Sequence, residues 1–169
     1  VPIVRMGQEA LLEPARWGLL PYWKKDDSGP PLFNARGETV AEKPSFRDAF
    51  KHQRCLIPMD GYYEWHEKKP HYVSLDGEIM SAAGLWATGV NRLSATMVTT
   101  DSVEPIDWLH NRLPRFLMDD EIAPWLTGTE DQARQLLQPI STDWVERLEV
   151  REVSKDVGNV RNDHAGLLD

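Results

Sequence analysis

Cysteine is almost missing from this chain: Cys55 is the only one in 169 residues. A lone cysteine excludes an internal disulfide framework and most thiolate metal sites, and a reducing, cytosolic setting is the expectation. No apolar run approaches the ~18 residues of a membrane span, and no charged-then-apolar leader opens the chain, so no membrane partner is expected. Walker loops, dinucleotide fingerprints and Ser-His-Asp orders are absent. The histidines show no ligand spacing, so neither a metal nor another cofactor is expected. Excess positive charge is also lacking, since the net charge is −8. That argues at first against a nucleic-acid partner, but its distribution weakens the objection. Residues 1–75 carry 11 Lys/Arg against 10 Asp/Glu, and residues 76–169 carry 8 against 17. One face can still meet a phosphate backbone.

What is present fits one domain with a sizeable core, 41% hydrophobic and 27% charged. Val1 to Arg5 reads as the middle of a strand, so residues are expected upstream of it. Ala15–Leu20, Leu32–Arg36, Arg54–Pro58, Tyr62–Trp65 and Ser94–Thr100 read as further strands. Asp76-Gly77, between His71–Leu75 and Glu78–Trp86, predicts a hairpin because both residues tolerate positive φ. Pro44–Gln53 is a helix with Phe46, Ala49 and Phe50 on one stripe. Val103–His110 suggests a helical turn. Asp119 or Asp120 opens a helix through Leu126, and Thr129 to Gln132 has the capping-box pattern. Leu148–Val153 alternates as a strand. The class is α+β, with strands dominating the first two-thirds.

Several residues suit chemistry, and each has a plainer reading. Seven tryptophans, several beside polar groups, suit stacking of unpaired bases, or fill the core. Glu64, inside Gly61-Tyr62-Tyr63-Glu64-Trp65, loses solvation between aromatic rings as an acid–base carboxyl would, or faces solvent on an alternating strand. His110 stands before Asn111-Arg112, a fit for proton handling beside an anion, or is an ordinary surface histidine. Asn34 and Arg36 lie two apart on a strand and share a side, which suits a sugar oxygen and a phosphate held together, or a structural turn.

Taken in order, these segments resemble one family. Ala15-Arg16-Trp17-Gly18-Leu19-Leu20-Pro21, Phe33-Asn34-Ala35-Arg36-Gly37-Glu38-Thr39, Arg54 to Trp65, Leu109-His110-Asn111-Arg112-Leu113-Pro114 and Ser154 to Asn162 look like the successive signatures of the SOS-response-associated peptidases. The resemblance implies a strand-rich α+β body with a curled, partly barrel-like antiparallel or mixed sheet flanked by helices. It implies capture of abasic sites in single-stranded DNA by an N-terminal cysteine, exposed when the initiator methionine removes itself, as a thiazolidine crosslink. Asn34, Glu64 and His110 match the family's catalytic residues. Arg36 and Arg112 match its phosphate-contacting arginines, and Trp17 and Thr99 are weaker matches lining the DNA groove. A monomeric, cytoplasmic protein associated with the nucleoid on DNA damage is the corresponding expectation.

The chain departs from that pattern at four places. The family begins Met-Cys-Gly-Arg, and nothing of that kind precedes Val1, so the expectation is a single domain over 1–169 whose N-terminal catalytic segment is missing. Asn111 stands where the family usually has aspartate. The stretches Asp26–Pro31 and Thr88–Leu93 are short for the family. Two other readings follow: a non-catalytic single-stranded DNA-binding module that has lost its nucleophile, and a general peptidase. The latter lacks a nucleophile–base pair, because Cys55 sits in an apolar run and is expected to be a buried, inert thiol.

Overall fold

The computed structural model describes residues 1–168. In chain order the elements are β1 (Pro2–Met6), β2 (Ala10–Pro14), β3 (Arg16–Trp17), β4 (Asn34–Arg36), α1 (Arg47–His52), β5 (Arg54–Met59), β6 (Gly61–His66) and β7 (Lys69–Ser74). They continue with β8 (Met80–Ala87), β9 (Ser94–Asp101), β10 (Arg112–Pro114), α2 (Asp119–Thr127), α3 (Glu130–Gln135), α4 (Thr142–Val145) and β11 (Glu149–Glu152). The α+β class expected from the sequence is the observed one. The larger sheet runs β10-β9-β8-β5-β1-β2, with β3 and β4 lying parallel to β9. It is an open path whose ends do not pair among the described residues. A smaller antiparallel sheet has the order β11-β7-β6.

The central strand explains the apolar run at Cys55-Leu56-Ile57. β5 lies between β1 and β8 and is buried on both faces, the environment that favours a continuous apolar strand. Its side chains alternate between two cores. Leu56 joins Phe50, Leu85, Val98 and Trp125 beneath the helices, whereas Cys55 and Ile57 join Phe116, Trp144 and Val145 on the other side. The small sheet covers that second core with Tyr62 and Val150, joined by Leu75 just beyond β7. The molecule is therefore layered as helices, large sheet, then small sheet with α4.

Arg54 ties the helical layer together. Its buried guanidinium donates to Phe50 O at 2.7 Å, to Trp125 O at 2.6 Å and to Gly128 O. One cation thus satisfies carbonyls at the C-terminal ends of α1 and α2, where the helix dipole favours positive charge.

The Asp76-Gly77 turn is real but does not make the expected hairpin. Asp76 has φ 40° and Gly77 φ 79°, yet only Leu75 and Glu78 pair across it. The chain then leaves β7 in the small sheet and enters β8 in the large one, so the turn is a corner between layers. The hairpin the sequence did not signal is β6–β7, turned by Glu67 (φ 50°) and Lys68 (φ 65°). The strand expected over Ala15–Leu20 contracts to Arg16–Trp17, ending where Gly18 takes φ 115°. The helix expected from Pro44 begins at Arg47. In the short Thr88–Leu93 connection, Val90 and Asn91 both have φ 55°, a strained conformation for a β-branched residue.

Candidate functional site

Where β6 of the small sheet faces β3, β4, β9 and β10 of the large one, the two sheets leave a cleft of about 330 Å³. Trp17, Asn34, Glu64, Thr99, His110 and Arg112 all line it. Residues up to 95 positions apart in sequence therefore meet because β4 and β10 both dock on β9, with Asn34 opposite Met97 and Arg112 opposite Asp101. Arg36 is not part of the lining. It projects from the same side of β4 as Asn34, in register with Thr99, while Ala35 between them is buried. A larger cavity of about 590 Å³ lies elsewhere, walled by Ile79, Met118, Trp144 and the Glu78–Arg147 ion pair. Nothing in that wall pairs a nucleophile with a base, so the smaller cleft is the candidate.

One wall is aromatic. Trp17 and Phe33 stack with ring centroids 6.1 Å apart and 13° between planes. Phe33 is among the exposed large apolar side chains. A flat apolar face bordering polar groups is open to stacking by a planar ring. Opposite it, Tyr62 packs on Phe116 at 5.8 Å. Burial, and then the nearby Glu64 charge, push the Tyr62 phenol upward, so it stays protonated as a donor. Glu64 is half-buried on the same strand, and its carboxylate accepts the Trp65 N–H at 3.3 Å.

His110 is exposed, but its ring is oriented. The Arg112 backbone N–H lies 2.9 Å from Nδ1 and can only donate, so in the neutral ring Nδ1 accepts and Nε2 carries the proton. The opposite tautomer has a poorer partner, Arg112 O at 3.3 Å.

Much of the positive charge at the cleft is already paired within the protein. The Arg112 guanidinium forks onto Glu38 at 2.8 and 2.9 Å and meets Asp101 Oδ1 at 2.8 Å. It also donates to Thr99 O at 2.9 Å and Thr99 Oγ1 at 3.2 Å. Those bonds hold the Glu38 carboxyl below the usual carboxylate range. Two carboxylates thus balance the two arginines. Arg36, with a side chain 59% exposed and Glu38 no nearer than 3.9 Å, keeps its donors free. Thr99 is a buried wall residue whose hydroxyl is already engaged.

Two participants escaped sequence reasoning. Glu38 lies within the segment Phe33 to Thr39, but its partner is 74 residues away. Tyr62 read as one more aromatic. Cys55 is fully buried, with its thiol pushed well upward by desolvation, and is not among the residues that line the cleft.

Comparison with known proteins gives a consistent picture. The model of the family described as SOS response associated peptidase (SRAP) matches residues 1–160. A Bacillus subtilis protein named abasic site processing protein YoaM is 36% identical over 182 residues, covering 99% of this chain and 79% of that protein. The Xenopus tropicalis abasic site processing protein HMCES is 30% identical over 188 residues, covering 91% of this chain and 56% of that protein. A crystal structure of a Bacteroides thetaiotaomicron protein superposes with TM-score 0.80 at 28% identity, covering 99% of this chain and 79% of the other.

Proposed function

We propose, for a chain that belongs to the SOS response associated peptidase (SRAP) family, that the cleft captures abasic sites in single-stranded DNA as a covalent thiazolidine. The observation that carries this reading is the convergence of Asn34, Glu64 and His110 beside a stacked Trp17–Phe33 wall. An abasic deoxyribose opens to an aldehyde. The α-amine of an N-terminal cysteine condenses with that aldehyde, releasing water and forming an imine. The cysteine sulfur then adds to the imine carbon, and the nitrogen takes up a proton, closing a five-membered ring.

Each cleft residue has a role in that sequence. His110, with Nε2–H outward, donates to the sugar ring oxygen as the ring opens. Glu64 takes the proton from the attacking amine and returns it as water leaves. Asn34 holds the sugar oxygen and the reactive terminus. The aromatic wall accepts an unpaired base, which a duplex would not offer. The same geometry suits self-removal of an initiator methionine, with Glu64 as its base.

The reading requires a cysteine ahead of Val1, as in the family's Met-Cys-Gly-Arg start.

The test is a denaturing gel with an abasic single-stranded oligonucleotide and no borohydride. Protein bearing the Met-Cys-Gly-Arg leader is expected to give a stable shifted band, and Cys55→Ser to leave that band intact. The chain starting at Val1 is expected to give none. A leader-bearing protein that binds the oligonucleotide without crosslinking would make the cleft a non-catalytic binding module instead. A band lost in Cys55→Ser would name a different nucleophile.

Phosphate contact falls to Arg36 in this reading, because a phosphate reaching Arg112 must displace Glu38 or Asp101. Arg36→Ala is expected to weaken single-stranded DNA binding and lower the log–log salt slope by about one. Binding titrations between 50 and 200 mM salt, roughly the range where counterion release dominates, measure it. An unchanged slope removes Arg36 from the interface.

A further inference from the structure

We propose that Glu38 is a positioning residue for His110, acting through Arg112. The inference rests on the reading of His110 as the proton donor of the cleft, and it adds a residue that touches neither sugar nor phosphate.

The donor inventory of Arg112 carries the argument. Its side chain is only 13% exposed. Nη1 donates to Glu38 Oε1 and Asp101 Oδ1, and Nη2 to Glu38 Oε2 and to Thr99. The remaining donor, Nε, is buried with no partner among the described residues. No accessible N–H is left to recruit an anion without breaking an existing bond. A guanidinium in this state is a strut, and its planar fork is what makes the clamp directional.

Both ends of the strut are placed. Gly37 sits so close to β9 that an added Cβ would lie 3.2 Å from Thr99 O and 3.3 Å from Leu137 O. Its N–H bonds Thr99 O at 2.8 Å. A side chain here would push its neighbours back by a few tenths of an ångström, so glycine suits the close approach that delivers Glu38 to the guanidinium. At the other end Arg112 pairs with Asp101 in the ladder, and Ser102 N–H bonds Asn111 O at 3.0 Å to close the turn. The Arg112 N–H that selects the His110 tautomer is therefore on the residue whose side chain Glu38 clamps.

Without the fork, the guanidinium loses its bidentate partner and swings toward solvent or a phosphate. The turn at 110–112 relaxes, and the Nδ1–H tautomer, now able to use Arg112 O, gains population. The consequences run in opposite directions. Binding to undamaged single-stranded DNA tightens and its salt slope steepens, because a guanidinium is released. The crosslinking step slows, because the proton donor is no longer fixed.

The experiment compares wild type with Glu38→Gln and Glu38→Asp, each made in this chain and in the leader-bearing protein. Long-range ¹H–¹⁵N spectra of the histidine rings report the His110 tautomer without any DNA. Wild type is expected to be in the Nε2–H form, Glu38→Gln to be mixed, and Glu38→Asp to lie closer to wild type. Single-turnover crosslinking is expected to fall about tenfold in Glu38→Gln, with partial recovery in Glu38→Asp. The salt slope of Glu38→Gln is expected to steepen by about one unit. If Glu38→Gln does not fold, Arg112→Lys replaces it: lysine keeps the charge and the backbone N–H but cannot fork onto two carboxylates, and the same tautomer shift is expected. A His110 spectrum and crosslinking rate unmoved in the folded variant overturn the proposal while leaving the reading of the cleft intact. A shifted tautomer in a protein whose wild type never crosslinks overturns that reading and leaves the positioning role standing.

Discussion

Glu64→Gln in the leader-bearing protein is expected to slow thiazolidine formation by about 10²- to 10⁴-fold, the usual worth of a positioned acid–base group. Binding to the abasic oligonucleotide should hardly change. Glutamine matches glutamate in shape and keeps an oxygen for the Trp65 N–H, so the strand and the cleft wall persist. What it cannot do is take a proton from an amine and return it to departing water. Glu64 is set for that work by its strand. It faces the cleft from β6, on the same side as Tyr62 and directly across the ladder from buried His71. Its charge already reaches the Tyr62 phenol and helps keep that group protonated. Single-turnover rates against pH, read on denaturing gels, measure the effect. A Glu64→Gln protein that crosslinks at the wild-type rate would move the acid–base role to another group, with Tyr62 the next to test.

Much of this site was legible in the sequence, for a physical reason. Alternation on a short strand places Asn34 with Arg36 on a shared face. The observed burial patterns of β4 and β6 follow that alternation. Charge compensation was not legible. Arg112 reads as a free phosphate ligand until Glu38 and Asp101 are found on it, one of them 74 residues away. Turn chemistry misled in both directions at the small sheet. Asp76-Gly77 carries the strongest hairpin signal yet makes a corner, because the strands after it belong to different layers. Glu67-Lys68 carries no such signal yet turns β6 into β7 at positive φ. Cross-strand pairing over six residue pairs from Gly61↔Ser74 to His66↔Lys69 offsets the local strain there.

Glu121→Ala is expected to cost about 3–5 kcal/mol of folding stability, the range for removing one partner of a buried ion pair. Arg115 is 3% exposed, in the apolar run Leu113-Pro114-Arg115-Phe116-Leu117. Its fork meets both Glu121 oxygens at 2.9 Å, and its other donors reach Gln138 O at 2.7 Å and Phe116 O at 2.6 Å. Glu121 also accepts the Met118 N–H at 3.0 Å, tying the start of α2 to the same pair. Burial alone would raise the Glu121 carboxyl, but the Arg115 fork and the Met118 N–H outweigh it, and the group ends below its ordinary range. The sign for pH follows. A depressed folded-state pKa contributes stability that is complete above the unfolded value of about 4.3 and is lost as pH falls through the folded value. Wild type should therefore weaken in acid while Glu121→Ala, already without the pair, loses less over the same interval. Against a typical total of about 5–15 kcal/mol, the loss at neutral pH is large enough to lower the midpoint by roughly 10 °C in a domain of this size. The double replacement Arg115→Met with Glu121→Leu separates attraction from desolvation. It leaves no buried charge, so it should recover part of what Glu121→Ala loses, the rest being the cost of the Gln138 and Phe116 carbonyls left without the Arg115 donors. Thermal and urea melts of wild type, Arg115→Met, Glu121→Leu and the double variant give the coupling energy. A Glu121→Ala protein as stable as wild type would mean that solvent reaches Arg115 once the carboxylate is gone, and that the pair does not anchor α2 to the large sheet.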